Sequence, residues 1–365
     1  MRTSRWIAVG AGVTVVAMAA IIAGLTSSTA HQTDKATATH SSRLLRYPVV
    51  AHARLSDSPY YVMSTSAGVF VFEQHRILRL DPTTLRVTGN LGGSRPLGAF
   101  AYGDGSLWAV AGAPKKRVLR IDPTTFKVIQ TIPVSGLPQS VAFGDGRVWV
   151  TVIQSSPNDL PNGTAPRMLE RINPTTSKIT GHTVLTGPNQ IEEIVVGNAI
   201  AVAGWRGPKI QLINPTTMRV VRSVPGRGTY PKSVPLGLQG PPRIVSLAGQ
   251  LYLRKADGSI VRLATDGPES TIWTKQEAAT HHMDPGGYVT SAQGLLWLQG
   301  GSHFYGIDPA LGRITATSAA PGRRTIYSAK PRWGWVASDP DPATPNGTIL
   351  ALVAGDNYFL DRLGP

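Results

Sequence analysis

The chain has 365 residues, a formal net charge of +15 and no cysteine, so a disulfide framework, a thiolate metal site and a Cys-linked lipid anchor are all excluded. Charged residues make up only 16%, while 39 Gly, 29 Pro and 8 Trp suit an all-β chain with many tight connections and large apolar contacts. Residues 1–46 hold five Lys or Arg and one Asp, which leaves +11 on the remainder, a surface able to adhere to polyanions.

In chain order, Arg2 and Arg5 precede an apolar run from Trp6 to Leu25 that is broken only by small residues and Thr14. About twenty such residues reach across a bilayer as a helix. The run is long for the apolar stretch of a cleaved signal peptide, although Ser28-Thr29-Ala30 offers small residues at a cleavage site. The basic residues stay inside, so either outcome places the remainder across the membrane. Residues 1–30 are therefore expected to be a signal peptide or a signal-anchor transmembrane helix. Residues 31–46 are polar and aperiodic, a flexible tether. Leu44 to Val50, interrupted by Pro48, is expected to pair with the last repeat as an edge strand and to help close the fold.

From about Tyr60 the chain repeats itself. Val118-Leu119-Arg120-Ile121-Asp122-Pro123-Thr124-Thr125-Phe126-Lys127-Val128 has copies around Asp81-Pro82, Asn173-Pro174, Asn214-Pro215 and Asp308-Pro309. In each, an alternating apolar run reaches an Asp or Asn able to accept from the backbone two residues on, and Pro presets φ for a type I turn. Upstream of these copies lie hairpin signals such as Gly103-Asp104-Gly105-Ser106-Leu107-Trp108 and Gly144-Asp145-Gly146-Arg147-Val148-Trp149. The anchors Phe70, Trp108, Trp149, Ala201, Tyr252, Trp297 and Trp335 are spaced 38 to 52 residues apart, the length of a four-stranded propeller blade. The expected fold is therefore all-β, a seven-bladed β-propeller over residues 47–365, preceded by the N-terminal signal-anchor helix.

The blades are expected to start near Tyr60, Leu97, Gln139, Ile191, Arg243, Gly287 and Thr325. The first should hold strands at Tyr60–Ser64, Val69–Phe72, Ile77–Leu80 and Leu85–Thr88. Inserted loops fall at Gln154–Arg167 and Ser338–Gly347, and long connectors at Pro225–Pro242 and Thr274–Gly287. The fifth blade replaces the Pro turn by Ala264-Thr265-Asp266-Gly267.

These residues resemble the bacterial extracytoplasmic YVTN-repeat, YncE-like propellers, in which a Gly-Asp-Gly-x-Val-Trp-Val hairpin precedes an Arg-Ile-Asp-Pro-Thr-Thr-x-Lys-Val hairpin. The resemblance covers about Tyr60 to Arg362 and implies a rigid, monomeric envelope scaffold whose loops bind. The related virginiamycin B lyases are enzymes with a His, acidic residues and magnesium near the axis. Here the matching stretch reads Asp284-Pro285-Gly286-Gly287-Tyr288-Val289 and lacks the Pro-His pattern, so that site is not carried over.

Candidate sites separate by residue type. Asp81, Asp122 and Asp308 alternate with Asn in the same motif, a swap that a turn acceptor tolerates and a catalytic acid does not. Trp108, Trp149, Trp297 and Trp335 read as packing between blades. Loops positioned by a rigid scaffold are where binding is expected. Reading those loops gives Lys115, Lys116, Arg117, Arg206, Arg227, Lys232, Arg323 and Arg324 as a basic binding face, with Trp205 offering a stacking surface beside Arg206. The expected function is a non-catalytic binding or scaffold module for a cell-envelope polyanion or a protein, with no cofactor; nucleic acid is not the expected partner. One alternative is an envelope lyase or hydrolase holding a divalent metal ion with His281, His282, Glu192 and Glu193 at the channel mouth. Another is a protein-recognising sensor or assembly domain centred on Trp205.

Overall fold

The computed structural model describes residues 44–55, 59–73, 76–92, 97–111, 116–154, 166–186, 192–204, 209–226, 243–283, 289–300, 303–319, 334–337, 349–354 and 358–363. The chain divides into Met1–Ser41 and Ser42–Pro365. The first unit, which carries the expected signal-anchor helix and most of the tether, lies outside the described residues, and all that follows concerns the second. No described helix is long and apolar enough to cross a membrane.

Two strands come first, β1 (Leu45–Arg46) and β2 (Val49–Leu55). A first sheet holds β3 (Pro59–Thr65), β4 (Gly68–Glu73), β5 (Arg76–Leu80) and β6 (Val87–Gly92), and a second holds β7 (Leu97–Gly103), β8 (Ser106–Ala111), β9 (Arg117–Ile121) and β10 (Val128–Pro133). The third contains β11 (Leu137–Gly144), β12 (Arg147–Ile153), β13 (Arg167–Asn173) and β14 (Lys178–Leu185). The fourth contains β15 (Glu192–Val196), β16 (Ile200–Gly204), β17 (Lys209–Ile213) and β18 (Val220–Pro225). A fifth follows with β19 (Arg243–Leu247), β20 (Gln250–Arg254), β21 (Ile260–Leu263) and β22 (Ser270–Trp273), then helix α1 (Lys275–Thr280). The sixth comprises β23 (Val289–Ala292), β24 (Leu295–Gly300), β25 (His303–Asp308) and β26 (Arg313–Ala319). The last three strands are β27 (Gly334–Ala337), β28 (Ile349–Ala354) and β29 (Tyr358–Leu363).

Five sheets are thus antiparallel meanders of four consecutive strands, the sixth is such a meander with β1 added in parallel along β26, and the remaining one is composite. β27, β28 and β29 supply three of its strands, and β2 pairs antiparallel with β29 as the fourth. From the second sheet on, the first strand of one sheet touches the first strand of the next along β7, β11, β15, β19, β23 and β27, and β27 touches β3. Sheets packed face to face around their innermost strands make this a β-propeller.

Large apolar side chains on the second strands fill the gaps between sheets, as the spacing of anchors predicts. Trp108, Trp149 and Trp297 are fully buried. Each indole N–H donates to the carbonyl that ends the preceding strand, Gly103, Gly144 and Ala292. Approach is close enough at the inner strands to demand glycine: a Cβ on Gly103 would lie 2.0 Å from the Phe143 ring. Trp335 departs from the scheme. It sits on β27, the innermost strand of the composite sheet, rather than on a second strand, and Ile349–Ala354 holds the second position. The composite sheet draws its outer strand from β2, so the C-terminal segment supplies one strand fewer than a full repeat and the regular spacing does not transfer.

The Asp-Pro turns behave as acceptors. Asp81 Oδ1 accepts from the amides of Thr83 and Thr84, and Asn173 and Asn214 do the same for their own turns. The residue after the second Thr then takes a left-handed conformation at Leu85, Phe126, Ser177 and Met218, with Gly312 in the sixth sheet. This moves the fourth strand of the first sheet to Val87–Gly92, two residues beyond the expected start at Leu85. The strained conformation places a side chain against the neighbouring sheet. Phe126 meets Phe70 edge-on at 6.1 Å, and Ser177 donates to Gln130 at 2.8 Å.

Arginines tie four of the junctions in the other direction. Arg79 Nη1 donates to the Pro123 and Thr124 carbonyls at 3.2 and 3.0 Å. Arg120 reaches Pro174 at 2.9 Å, Arg171 reaches Pro215 and Thr216 at 2.9 and 3.1 Å, and Arg222 reaches Ala264 at 3.0 Å. Four successive junctions therefore share one device, an arginine satisfying turn carbonyls of the next sheet.

The turn carboxylates also carry a pH dependence. The Thr84 amide and hydroxyl hold Asp81 below the usual carboxylate range, and the amides of Thr125 and Thr124 do the same for Asp122. A depressed folded pKa contributes stability that is present above the unfolded value near ~3.9 and lost as pH falls through the folded value. Asparagine already performs this role at two turns. The double substitution Asp81→Asn and Asp122→Asn is expected to leave the urea midpoint at pH 7 nearly unchanged and to flatten its decline below about pH 4. A decline as steep as that of the parent protein would refute the assignment.

Candidate functional site

The topology sorts loops to opposite ends of the sheets. Asp-Gly and Asp-Pro turns lie at one end, and the connectors between sheets, with the loops joining second to third strands, lie at the other. The basic loop face expected from sequence belongs to the second end. Of its residues, Lys116 is exposed and its carbonyl accepts from the Val134 amide at 3.0 Å. Arg117 opens β9, half-buried, with an Nε that has no hydrogen-bond partner. Lys115, Trp205, Arg206, Arg227, Lys232, Arg323 and Arg324 lie outside the described residues.

The His and Glu residues of the alternative metal site fall in separate elements. Glu192 and Glu193 open β15, paired with Gly204 and Ala203; their side chains lie outside the described residues. His281 caps the C-terminus of α1 and His282 follows it with φ 50°. Their surroundings differ. His281 is half-buried between Trp273 and Tyr305, with ring centroids 5.8 and 5.3 Å away, and His282 is exposed. Among the described residues, no three His, Asp or Glu side chains are grouped to hold a metal ion. Glu73, the last residue of β4, is buried and ion-paired with Arg76.

Helix α1 lies inside the long connector expected at Thr274–Gly287. It is set by a capping box: Thr274 Oγ1 accepts from the Glu277 amide, and Glu277 Oε2 accepts from the Thr274 amide. That signal was present in the sequence as Thr274-Lys275-Gln276-Glu277. The connectors before the third and fourth sheets are held from below. Glu170 on β13, 1% exposed, accepts from the Ser135 amide at 3.1 Å, while its second oxygen lacks a partner. Gln211 on β17 holds the same register, accepting from the Thr186 amide and donating to the Thr186 hydroxyl, both at 3.0 Å. Glu170 therefore acts first as a connector clamp.

The outer wall of the propeller supplies the feature that reading loops alone missed. The outermost strands β2, β6, β10, β14, β18, β22 and β26 contain no Asp or Glu. In five sheets the residue after the left-handed position is basic and exposed: Arg86, Lys127, Lys178, Arg219 and Arg313. None of the five has an ion-pair partner among the described residues. The next residue in four of them, Val87, Val128, Ile179 or Val220, is an exposed β-branched side chain. Each left-handed residue anchors its own side chain inward, and the following residue, one position on in an extended strand, must point away from that contact. The repeat thus places a cation beside an apolar group at the same height around the wall. The pattern was legible as Thr-Thr-x-Lys-Val and its variants; what concealed it was that the same residues also build the hairpin.

No protein-family model matches the sequence, and a search of curated proteins finds no match. The fold resembles many solved structures, among them the following two. The β-propeller domain of Myceliophteria thermophila Cps50 (Swd1) superposes with a TM-score of 0.57 at 11% identity, over 87% of this chain and 99% of that one. The WD40 domain of Neurospora crassa Pan2 does so with a TM-score of 0.57 at 8% identity, over 87% and 95%. At such identities the likeness concerns the fold.

Proposed function

We propose that this chain is a seven-bladed, non-catalytic binding module, the composite sheet serving as the seventh blade, and that it captures a cell-envelope polyanion on its outer wall. The observation that carries the reading is the row of exposed cations at one register where the outer strands begin, those strands containing no Asp or Glu; the residue facing the cation across the turn is Asp81, Asp122 or Asp308 in three sheets, each with Oδ1 already accepting from turn amides. Cations repeated at a fixed height suit a ligand with regularly spaced negative charge, because each added contact costs no further orientation once the first is made. Of the basic loop residues named from sequence, Lys116 and Arg117, at the start of β9, offer a second contact at the connector end. The reading that the propeller works outside a bacterial cytoplasmic membrane rests on Arg2, Arg5 and the apolar run Trp6–Leu25.

Titration of Ser42–Pro365 with inorganic polyphosphate tests the proposal. Binding is expected, and affinity is expected to fall about tenfold or more between about 50 mM and about 200 mM salt, as counterion release requires when several cations engage. Binding that ignores salt, or no binding at low salt, would overturn it.

A further inference from the structure

Exposed apolar side chains on this propeller gather at one end. Twelve large ones are exposed among the described residues, and all but Val184 occupy the first two positions of an outer or added strand, or lie just before one. Ile129, Val221 and Leu311 join the four β-branched residues of the row, and the N-terminal strands add Leu44, Leu45, Val49 and Val50. Outer strands leave the Asp-Pro turns, so this band lies at the end of the sheets that holds the turns. β2 starts there too, with Val49 opposite Leu363, the last residue of β29. A purely polar polyanion would need only the cations; a band of exposed apolar groups beside them fits a ligand with an apolar interior.

The same band is basic. Arg46 on β1 is exposed, as are the five cations of the row. Of the acidic residues at this end, Asp81, Asp122 and Asp308 accept from turn amides, Asp104 and Glu269 are ion-paired with Arg120 and Lys255, and Asp145 and Asp266 are exposed. Neighbouring residues on a strand point to opposite faces, and both faces of an outer strand are open at its start, as the exposure of Lys178 and Ile179 together shows. A flat surface laid across the turn end therefore meets cations and apolar groups of several sheets at once, whereas a partner on the circumference meets one or two sheets.

The path of the chain points the same way. β1 runs parallel to β26, which starts at Arg313, so Leu44 lies toward the turn end and the chain enters the propeller there. A membrane anchor at Trp6–Leu25, as expected from sequence, tethers the propeller by the end that carries the band.

We propose that the turn end of the propeller docks on an anionic lipid bilayer. The cations meet headgroup phosphates, and the apolar residues enter the boundary between headgroups and acyl chains. The turns ahead of the band end in exposed threonine pairs such as Thr124-Thr125 and Thr175-Thr176, which the headgroup layer solvates. The inference rests on the reading of the wall as a polyanion surface and names the bilayer as that polyanion.

The test is flotation of the compact unit Ser42–Pro365 with vesicles of phosphatidylcholine alone or with about one-third phosphatidylglycerol. Binding to the anionic vesicles is expected, weakening as salt rises, with none to phosphatidylcholine. Val128→Thr, Ile129→Thr, Val220→Thr and Val221→Thr together are expected to weaken vesicle binding at least about tenfold, while polyphosphate affinity stays within about twofold and the thermal midpoint stays in place. Because the chain has no cysteine, a single polarity-sensitive dye can be attached after Val128→Cys or, at the other end of an outer strand, after Val184→Cys. Anionic vesicles are expected to shift its emission to the blue at the first position and not at the second. Vesicle binding that ignores the four Thr substitutions, or a blue shift at Val184 and not at Val128, overturns the proposal. If polyphosphate binds with the expected salt dependence while the vesicles fail, only the bilayer is lost as the ligand. If neither binds, the reading of the wall falls with it.

Discussion

Removal of residues 44–55 is expected to abolish the single cooperative unfolding transition of the propeller. This segment touches three sheets. β2 runs antiparallel to β29 from Val49 opposite Leu363 to Leu55 opposite Tyr358, and supplies the outer strand of the composite sheet. Leu55 is buried with Leu360 and with Leu78, Leu80 and Leu85 of the first sheet. Tyr47, between β1 and β2, meets Trp297 of the sixth sheet edge-on at 5.2 Å. Its amide donates to the Thr317 carbonyl at 3.0 Å, and the Ser318 hydroxyl donates to its carbonyl.

Burial of Tyr47 and Leu55 alone contributes about 1.5–3 kcal/mol each. Loss of the strand also exposes Leu360 and an unpaired edge. Against a net stability of about 5–15 kcal/mol for a domain, the sum leaves little margin. A thermal scan of the truncated protein should show a broad, non-cooperative melt. The single substitution Leu55→Asp, which puts a carboxylate into the same cluster, should lower the midpoint strongly while far-ultraviolet circular dichroism still reports strand. An unchanged midpoint in both would mean that the propeller is closed by other contacts.

The triple reversal Lys127→Glu, Lys178→Glu and Arg219→Glu is expected to weaken polyphosphate binding roughly hundredfold, at about 1 kcal/mol for each cation near an anionic surface. The three residues stand at one register on consecutive sheets, so a single extended polyanion meets all of them. All are exposed and lack an ion-pair partner among the described residues, so the fold should tolerate the change within about 0.5 kcal/mol per site. Lys275→Glu on α1, exposed and at the connector end of the sheets, opposite the turns that carry the row, is the control and should change affinity by the general charge effect only. Retention of affinity within about threefold in the triple variant would remove the wall from the binding surface.

The turns and the second-strand anchors were legible because their physics is local. Asp or Asn before Pro accepts from amides two and three residues on, and Gly105 and Gly146 supply positive φ beside Asp104 and Asp145. The register of Trp108, Trp149 and Trp297 follows from strand alternation and repeat length. Helix α1 was also written locally, in a Thr-x-x-Glu capping box, but the absence of a long apolar period around it directed attention elsewhere.

Other features could be seen only in three dimensions. An arginine two residues before the Asp or Asn looks like any exposed strand residue; that Arg79, Arg120 and Arg171 reach turn carbonyls 44 to 54 residues away depends on how far each sheet is rotated on its neighbour. The wall cations belong to the same class. Their signal is in the repeat, but only packing decides that the left-handed residue turns inward and its successor outward.

Contacts among residues a few positions apart are enough to write an all-β chain of repeated hairpin pairs and to place its turns and buried tryptophans. Closure of the fold is a long-range matter. The expected pairing of Leu44–Val50 with the last repeat holds for its end, since β2, which begins at Val49, is the edge strand beside β29, whereas Leu45–Arg46 joins the sixth sheet and Trp335 falls on an innermost strand. The pairing of strands roughly 300 residues apart is a competition among all free edges, settled by which one also buries Tyr47 against Trp297 and Leu55 against Leu360, and no local pattern encodes that outcome.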